Sequence, residues 1–232
     1  MWKLPEIAAL LVLILIMSCV IWYVRRDNKV LVHDSGTYKV YEIYDILTPK
    51  ECRAVMTLAK AKGMEESMVW GYGESNGNHL DASHRKSKQA WLKDEDGDVV
   101  AKMSRFTAKV TGFPMSHQES LQVAMYEHQG KFNEHYDACV DTDPASCEKM
   151  NKGAGERRAT LLVYLNTDFE GGETEFVNLG LRIKPEVGKG ILFWSTDDNE
   201  VIIHESKHRG NPVRNGEKWI CTKWVHQKEY KA

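Results

Sequence analysis

From Ser120 to the C-terminus the sequence is divided into short β-rich runs, LQVAMYEH, ATLLVYLNT, LRIKPEV, GILFWS, VIIHES and KWICTKWVH, separated by Gly, Asn, Asp and Pro. Many short strands with turn residues between them, and no helical periodicity intervening, restrict this part to a β-sandwich or jelly roll. Helix signals lie upstream. Thr48-Pro49-Lys50-Glu51 supplies an N-cap hydroxyl, a proline at the first helical position and a glutamate able to close a capping box. Cys52, Val55, Leu58 and Ala59 then form an apolar stripe, and Gly63 ends it. A second helix is expected from Asp98 to Val110, where Val99, Met103, Phe106 and Val110 recur at helical spacing before Gly112. The expected class is therefore mostly β with flanking helices (α+β), and 232 residues suffice for one such core.

The segment between the two helices, GYGESNGNHLDASHRKS, is rich in Gly, Asn and Ser and long for a connection inside a domain. It is expected to act as a mobile loop over a site, from about Gly71 to His84. The formal net charge of −2, with Lys and Arg scattered along the chain, gives no electrostatic reason to expect nucleic acid as a partner.

Before the domain, Ile7 to Val24 reads IAALLVLILIMSCVIWYV, an uncharged run of about membrane-spanning length followed by Arg25-Arg26. A transmembrane helix over residues 1–24, a polar linker over 25–38 and a single domain over 39–232 are expected. A cleaved signal peptide is the rival, but small residues usually follow its apolar part, where this chain has Ile21, Trp22 and Tyr23. A lipid-attachment site at Cys19 fits poorly, because Met17 stands nearby. Arg25, Arg26 and Lys29 after the span favour a cytosolic domain. Cys139 and Cys147 bracket a polar loop, CVDTDPASC, of the kind that disulfides close in an oxidising compartment, which favours a lumenal domain in the endoplasmic reticulum; two free thiols are the alternative.

Two features carry chemistry. In FNEHYDAC, His135 and Asp137 are two residues apart, so on an extended strand both project from one face and can share a metal. His208 from a distant strand would complete a two-His-one-carboxylate set that leaves positions open on Fe(II). Among nine histidines such a pair arises by chance easily, and a surface His beside an Asp is the bland alternative. In KWICTKWVH, Lys218, Ile220, Thr222, Trp224 and His226 share one parity. A lysine facing into a β-barrel needs an anionic partner, and a dicarboxylate beside the metal would supply one. An exposed edge-strand lysine is the alternative.

The ordered set Tyr126-x-x-x-Gly130, His135-x-Asp137, Arg157-x-Ala-Thr160, Tyr164-Leu165-Asn166, Gly171-Gly-Glu-Thr174-x-Phe176, His208-x-Gly-x-Pro-Val213 and Gly216-x-Lys218-Trp219 resembles the collagen-type prolyl 4-hydroxylases. These are 2-oxoglutarate- and Fe(II)-dependent dioxygenases, and the chain is most similar to their short membrane-anchored plant, algal and large-DNA-virus members. The ten-residue interval from His208 to Lys218 and the opening helix LTPKECRAVMTLA fit the same pattern. The resemblance implies a double-stranded β-helix with Fe(II) near one mouth on His135, Asp137 and His208. It implies 2-oxoglutarate among Tyr126, Thr174, Lys218 and Trp224, with ascorbate as a further cofactor. Arg85, Ser87, Glu119, Arg157 and His226 would serve or support a site for proline-rich or collagen-like peptides, hydroxylated with release of succinate and carbon dioxide. Glu119 and Arg157 could equally form an internal ion pair, and Ser87 could be a turn residue.

Where the family usually has a tyrosine three residues before the first metal histidine, this chain has Phe132. Any role for that hydroxyl is lost. His204 has the strand parity of His208, but only His208 is followed by Gly-x-Pro-Val. The other classes open to the chain are a related oxygenase acting on lysine or a small molecule, and a non-catalytic jelly-roll module binding proline-rich chains. A zinc hydrolase would rarely need the extra lysine and the Gly-Gly-Glu-Thr strand.

Overall fold

The run Lys218–His226 is buried at all nine positions, which places it where both faces of a sheet are covered. A computed structural model describes residues 29–34, 36, 38–71, 77–140 and 143–231, and in it this run is the longest strand. An eight-stranded antiparallel sheet has the order β1 (Lys29–Asp34), β2 (Lys39–Ile43), β14 (Gly190–Trp194), β10 (Arg157–Tyr164), β17 (Lys218–His226), β8 (Leu121–Tyr126), β7 (Lys88–Leu92) and β3 (Glu65–Glu66). A five-stranded antiparallel sheet has the order β13 (Leu181–Ile183), β12 (Thr174–Phe176), β15 (His208–Gly210), β9 (Lys131–His135) and β6 (Arg85–Lys86). Two two-stranded sheets, β4 (Val69–Gly71) with β5 (Gly77–His79) and β11 (Phe169–Gly171) with β16 (Val213–Gly216), complete the strands.

Strand parity sorts the core into two layers. Ala159, Leu161 and Val163 of β10 and Trp219, Cys221 and Val225 of β17 share an apolar cluster with Cys52, Val55, Val100 and Met103 of the helices. Leu162, Tyr164 and Ile220, of the opposite parity, cluster with Phe176 and Ile183 of the five-stranded sheet. The rings of Phe176 and Phe193 meet edge to face, 5.0 Å between centroids, and join the two sheets. Each fully buried side chain of this size contributes about 1.5–3 kcal/mol. The result is the mostly-β jelly-roll arrangement expected of the chain, with the two longer helices on one outer face.

Helix α1 (Pro49–Lys62) begins as its sequence predicts: the Thr48 N–H donates to Glu51 Oε2 at 2.8 Å and the Glu51 N–H to Thr48 Oγ1 at 3.3 Å. Helix α2 (Asp98–Thr111) ends at Gly112, whose φ of +79° is the left-handed C-cap conformation. Its inward face is rotated from the expected one. Val100, Met103, Ser104 and Thr107 are buried, while Val99, Phe106 and Val110 are only partly covered. Ser104 and Thr107 tolerate burial because their hydroxyls donate to Asp94 Oδ1 at 2.6 Å and Met103 O at 2.8 Å. Contrary to the expectation that no helix intervenes after Ser120, a third helix, α3 (Pro144–Met150), starts on the side chain of Asp143.

Four expectations are corrected here. Residues 29–34 of the expected linker form β1, paired with β2 at the sheet edge. VIIHES is not a strand: His204–Ser206 is a 3-10 turn, with only a single bridge from Ile202 to Thr196 before it. The loop after Gly71 is in part the β4–β5 pair, and its residues 72–76 lie outside the described residues. Strand β9 ends at His135, so Asp137 stands just beyond it. The expected transmembrane helix over residues 1–24 lies outside the described residues, among which no helix is long and apolar enough to cross a membrane. Of the two alternatives for Cys139 and Cys147, the structure has the disulfide.

Candidate active site

Strands β9 and β15 pair with His208 opposite His135, which sets the two imidazoles side by side, 4.3 Å between ring centroids. His135 Nε2 is 3.7 Å from Asp137 Oδ1, and His208 Nε2 is 4.0 Å from Asp137 Oδ2. The three ligand atoms lie within 4.8 Å of one another. Each imidazole is oriented from behind, with His135 Nδ1 2.7 Å from Asn133 O and His208 Nδ1 2.9 Å from Ser206 O. A carbonyl only accepts, so Nδ1 carries the proton and the Nε2 lone pair is left for a metal. The Thr160 hydroxyl donates to Asp137 Oδ2 at 2.6 Å. Burial, then the neighbouring His208, pushes the pKa of His135 well below its ordinary value, which keeps the ring a neutral donor. Burial opposes ionisation of Asp137, but both histidines, Arg157 and Thr160 hold its pKa below the usual carboxylate value. Two imidazoles and one carboxylate fit Fe(II) with further positions left for ligands.

A small inner pocket of about 40 Å³ adjoins this cluster, lined by Tyr126, Thr174, Lys218 and Trp224 among others. Gly172, at φ +66°, lets the backbone pass this close, since a Cβ there would meet Lys218 Cδ and Phe169 at 3.0 Å. The Lys218 ammonium is buried and makes no salt bridge among the described residues; it lies 5.2 Å from the Tyr126 ring centroid and 5.7 Å from that of Tyr164. Burial lowers its pKa to about 8, and the distant Glu173 opposes this. A buried cation without a counter-ion is costly, and an anion in the pocket would remove that cost. Thr174 Oγ1 accepts from the Tyr164 hydroxyl at 2.7 Å. The buried indole N–H of Trp224 has no protein partner among the described residues.

Outside the metal cluster the space widens into a cleft of about 900 Å³. Trp70, Trp91, Tyr136, Trp224 and Tyr230 line it together with Arg85, Glu119, Gln122 and Arg157. Arg157 Nε donates to Glu119 Oε1 at 2.6 Å, His226 Nε2 approaches the same oxygen at 2.9 Å, and the guanidinium lies 4.0 Å from the Trp224 ring centroid. Burial would raise the Glu119 pKa, but the Arg157 charge and the His226 hydrogen bond hold it at about 2. Arg85 donates to Ser87 Oγ and to Gln122 Oε1, both at 3.1 Å. Ser87 and His226 line neither the cleft nor the inner pocket and support Arg85 and Glu119 from behind. Phe132 stacks on His135, 3.6 Å between centroids and 13° between planes.

The predicted residues thus fall into three adjoining groups. His204 is outside them, exposed, with its carbonyl accepting from Asn178 Nδ2 at 2.6 Å; the parity comparison with His208 does not apply to a 3-10 turn. Sequence reasoning gave no role to Thr160, Gln122, Trp70 or Trp91. Parity could have found two of them, since Gln122 shares the face of Tyr126 on β8 and Thr160 that of Tyr164 on β10.

Comparison with known proteins agrees with this geometry. The family model described as the 2OG-Fe(II) oxygenase superfamily matches residues 121–226. The putative prolyl 4-hydroxylase of Acanthamoeba polyphaga mimivirus is 29% identical, over 85% of this chain and 78% of that one. The probable prolyl 4-hydroxylase 3 of Arabidopsis thaliana is 32% identical, over 83% of this chain and 71% of that one. Among solved structures, the viral collagen prolyl hydroxylase of Paramecium bursaria Chlorella virus-1, in complex with 2-oxoglutarate, is similar with a TM-score of 0.63 and 30% identity, over 80% of this chain and 94% of that one. The chain belongs to the prolyl 4-hydroxylase family of 2-oxoglutarate- and Fe(II)-dependent dioxygenases.

Proposed function

We propose that this protein is a peptidyl-proline 4-hydroxylase acting on proline-rich or collagen-like peptides, with 2-oxoglutarate converted to succinate and carbon dioxide. The observation that carries this reading is the aromatic-walled cleft of about 900 Å³ opening onto His135 and Asp137. Proline-rich chains form an extended helix without side-chain donors, and grooves lined by Trp and Tyr recognise them. An open cleft also suits a peptide better than a small molecule, which a closed pocket would hold.

In this reading His135, Asp137 and His208 hold the iron. Iron and 2-oxoglutarate, when bound, supply the oxidising chemistry at the C4–H of proline. Lys218 pairs with the far carboxylate of 2-oxoglutarate, with Tyr126, Thr174 and the free N–H of Trp224 around the same ligand. Thr160 orients the Asp137 carboxylate. Phe132 and Trp224 form the wall that positions the pyrrolidine ring and excludes water from it. Arg85 and Arg157 present N–H donors to the peptide backbone, each held from behind, by Ser87 and Gln122 in one case and Glu119 in the other. His226 holds the Glu119 carboxylate in place. Ascorbate serves as the reductant usual for the family.

We also place the protein as a single-pass membrane protein of the endoplasmic reticulum with a lumenal domain. The apolar run Ile7–Val24 supports the anchor, and the Cys139–Cys147 disulfide supports an oxidising compartment. The test of activity is consumption of 2-oxoglutarate by the iron-loaded protein with ascorbate, with and without poly-L-proline. Turnover stimulated by poly-L-proline is expected; no 2-oxoglutarate consumption under either condition overturns the reading.

A further inference from the structure

Helix α3 has seven residues, too few to be stable alone in water, so its place depends on ties to its surroundings. The covalent tie is at its centre, where Cys147 is bonded to Cys139, two residues after Asp137. On the other side, the Trp70 indole N–H donates to Ser146 Oγ at 3.5 Å, and Lys149 Nζ lies 5.8 Å from the Trp70 ring centroid. Lys149 and Met150 line the cleft beside Trp70. Disulfide, helix and tryptophan therefore form one continuous wall that begins next to a metal-binding carboxylate.

The segment carrying Asp137 has other restraints. Thr160 holds its carboxylate, Arg157 donates to its carbonyl at 3.2 Å, and the Cys139 N–H donates to Glu156 Oε2 at 2.9 Å. Glu156 also accepts from Asn151 Nδ2 at 2.9 Å, just past α3, so loss of the disulfide loosens α3 without detaching it, while these bonds keep Asp137 in place.

We infer that the Cys139–Cys147 disulfide is a positioning element for the peptide substrate, fixing α3 and Trp70 as a wall of the cleft, with no part in holding iron or 2-oxoglutarate. This rests on the proposed peptide function. Closing a loop of this length restricts the open chain by more than a tenfold factor, of which the Glu156 bridge between Cys139 and Asn151 retains a part.

The test compares the full-length protein with Cys139→Ser/Cys147→Ser and with Trp70→Ala, using (Pro-Pro-Gly) peptides and iron, and checks folding by circular dichroism. The double-serine variant should raise the peptide KM roughly tenfold while the 2-oxoglutarate KM and peptide-free turnover stay within about twofold, and Trp70→Ala should raise the peptide KM as well. The combined variant should be less than multiplicative, because both changes remove one wall. An unchanged peptide KM, or a parallel rise in the 2-oxoglutarate KM, overturns the assignment. If the double-serine variant does not fold, the wild-type protein assayed before and after reduction of the disulfide with a phosphine decides by the same split of KM values. Failure of the wild-type protein to oxidise proline overturns the substrate reading and this one with it, whereas wild-type turnover with unchanged KM ratios overturns this one alone.

Discussion

Lys218 and Tyr126 stand opposite each other across the β8–β17 ladder, with the ammonium 5.2 Å from the centroid of the phenol ring. The pairing puts a buried positive charge against an aromatic face, where a carboxylate would be its natural third member.

Replacing Lys218→Met should therefore separate stability from function. The 2-oxoglutarate KM should rise by roughly a hundredfold or more, as for loss of one partner from a buried charge pair. The ligand-free protein should become more stable. Burial depresses the lysine pKa to about 8, below its unfolded value, so the charged form disfavours folding below pH 8 and ceases to do so as the pH rises past the unfolded value. Removing that penalty at neutral pH contributes on the order of 3 kcal/mol. Denaturant unfolding of the metal-free protein measures it; a loss of stability would contradict the account.

The same pKa sets a pH dependence. Lys218 is charged below pH 8 and neutral above it, and the far carboxylate pairs only with the charged form. The affinity for 2-oxoglutarate should be flat below that pH and weaken by up to about tenfold per pH unit above it. Lys218→Arg, which stays charged, should flatten the alkaline limb, and competition binding of a 2-oxoglutarate analogue across the pH range measures both.

Glu119 accounts for part of the acid sensitivity. Its folded pKa is about 2, held down chiefly by Arg157 against the effect of burial. Stability from the Glu119–Arg157–His226 cluster is complete above the unfolded carboxylate pKa and is lost as pH falls through 2. Glu119→Gln should cost about 3–5 kcal/mol at neutral pH by leaving Arg157 uncompensated. It should also remove this part of the acid slope, read from urea midpoints over the same pH window.

Much of the active site is legible because strand parity is a local property. The shared facing of Lys218, Thr222 and Trp224 needs only a two-residue repeat. Cross-strand register is not local. That Thr160 would meet Asp137, or that Tyr164 would reach Thr174, depends on how β10 lies against the other sheet. VIIHES has the composition of a strand, yet Ser206 closes a 3-10 turn by donating to Ile203 O at 2.7 Å, and a turn places His204 away from His208. β1 pairs on one side only, and its Val30-Leu31-Val32 run has no two-residue alternation to mark it as a strand.

The two histidines should behave oppositely. His208→Ala should abolish tight Fe(II) binding, and His204→Ala should leave it unchanged. Thr160→Val should weaken it by about 10–100-fold, the usual effect of removing a hydrogen bond that orients a ligand. Calorimetric titration under anaerobic conditions distinguishes the three.

The His135–Asp137–His208 cluster, with Lys218 beside it, is proposed to serve the hydroxylation of proline at C4. Amino-acid analysis of a Pro-Pro-Gly peptide after incubation with the iron-loaded protein, 2-oxoglutarate and ascorbate tests it most directly. 4-Hydroxyproline is expected, formed in step with succinate, absent with His135→Ala and strongly reduced with Lys218→Met at 2-oxoglutarate concentrations that saturate the wild type. Succinate formation without hydroxyproline, or hydroxyproline that persists in the His135→Ala variant, would contradict it.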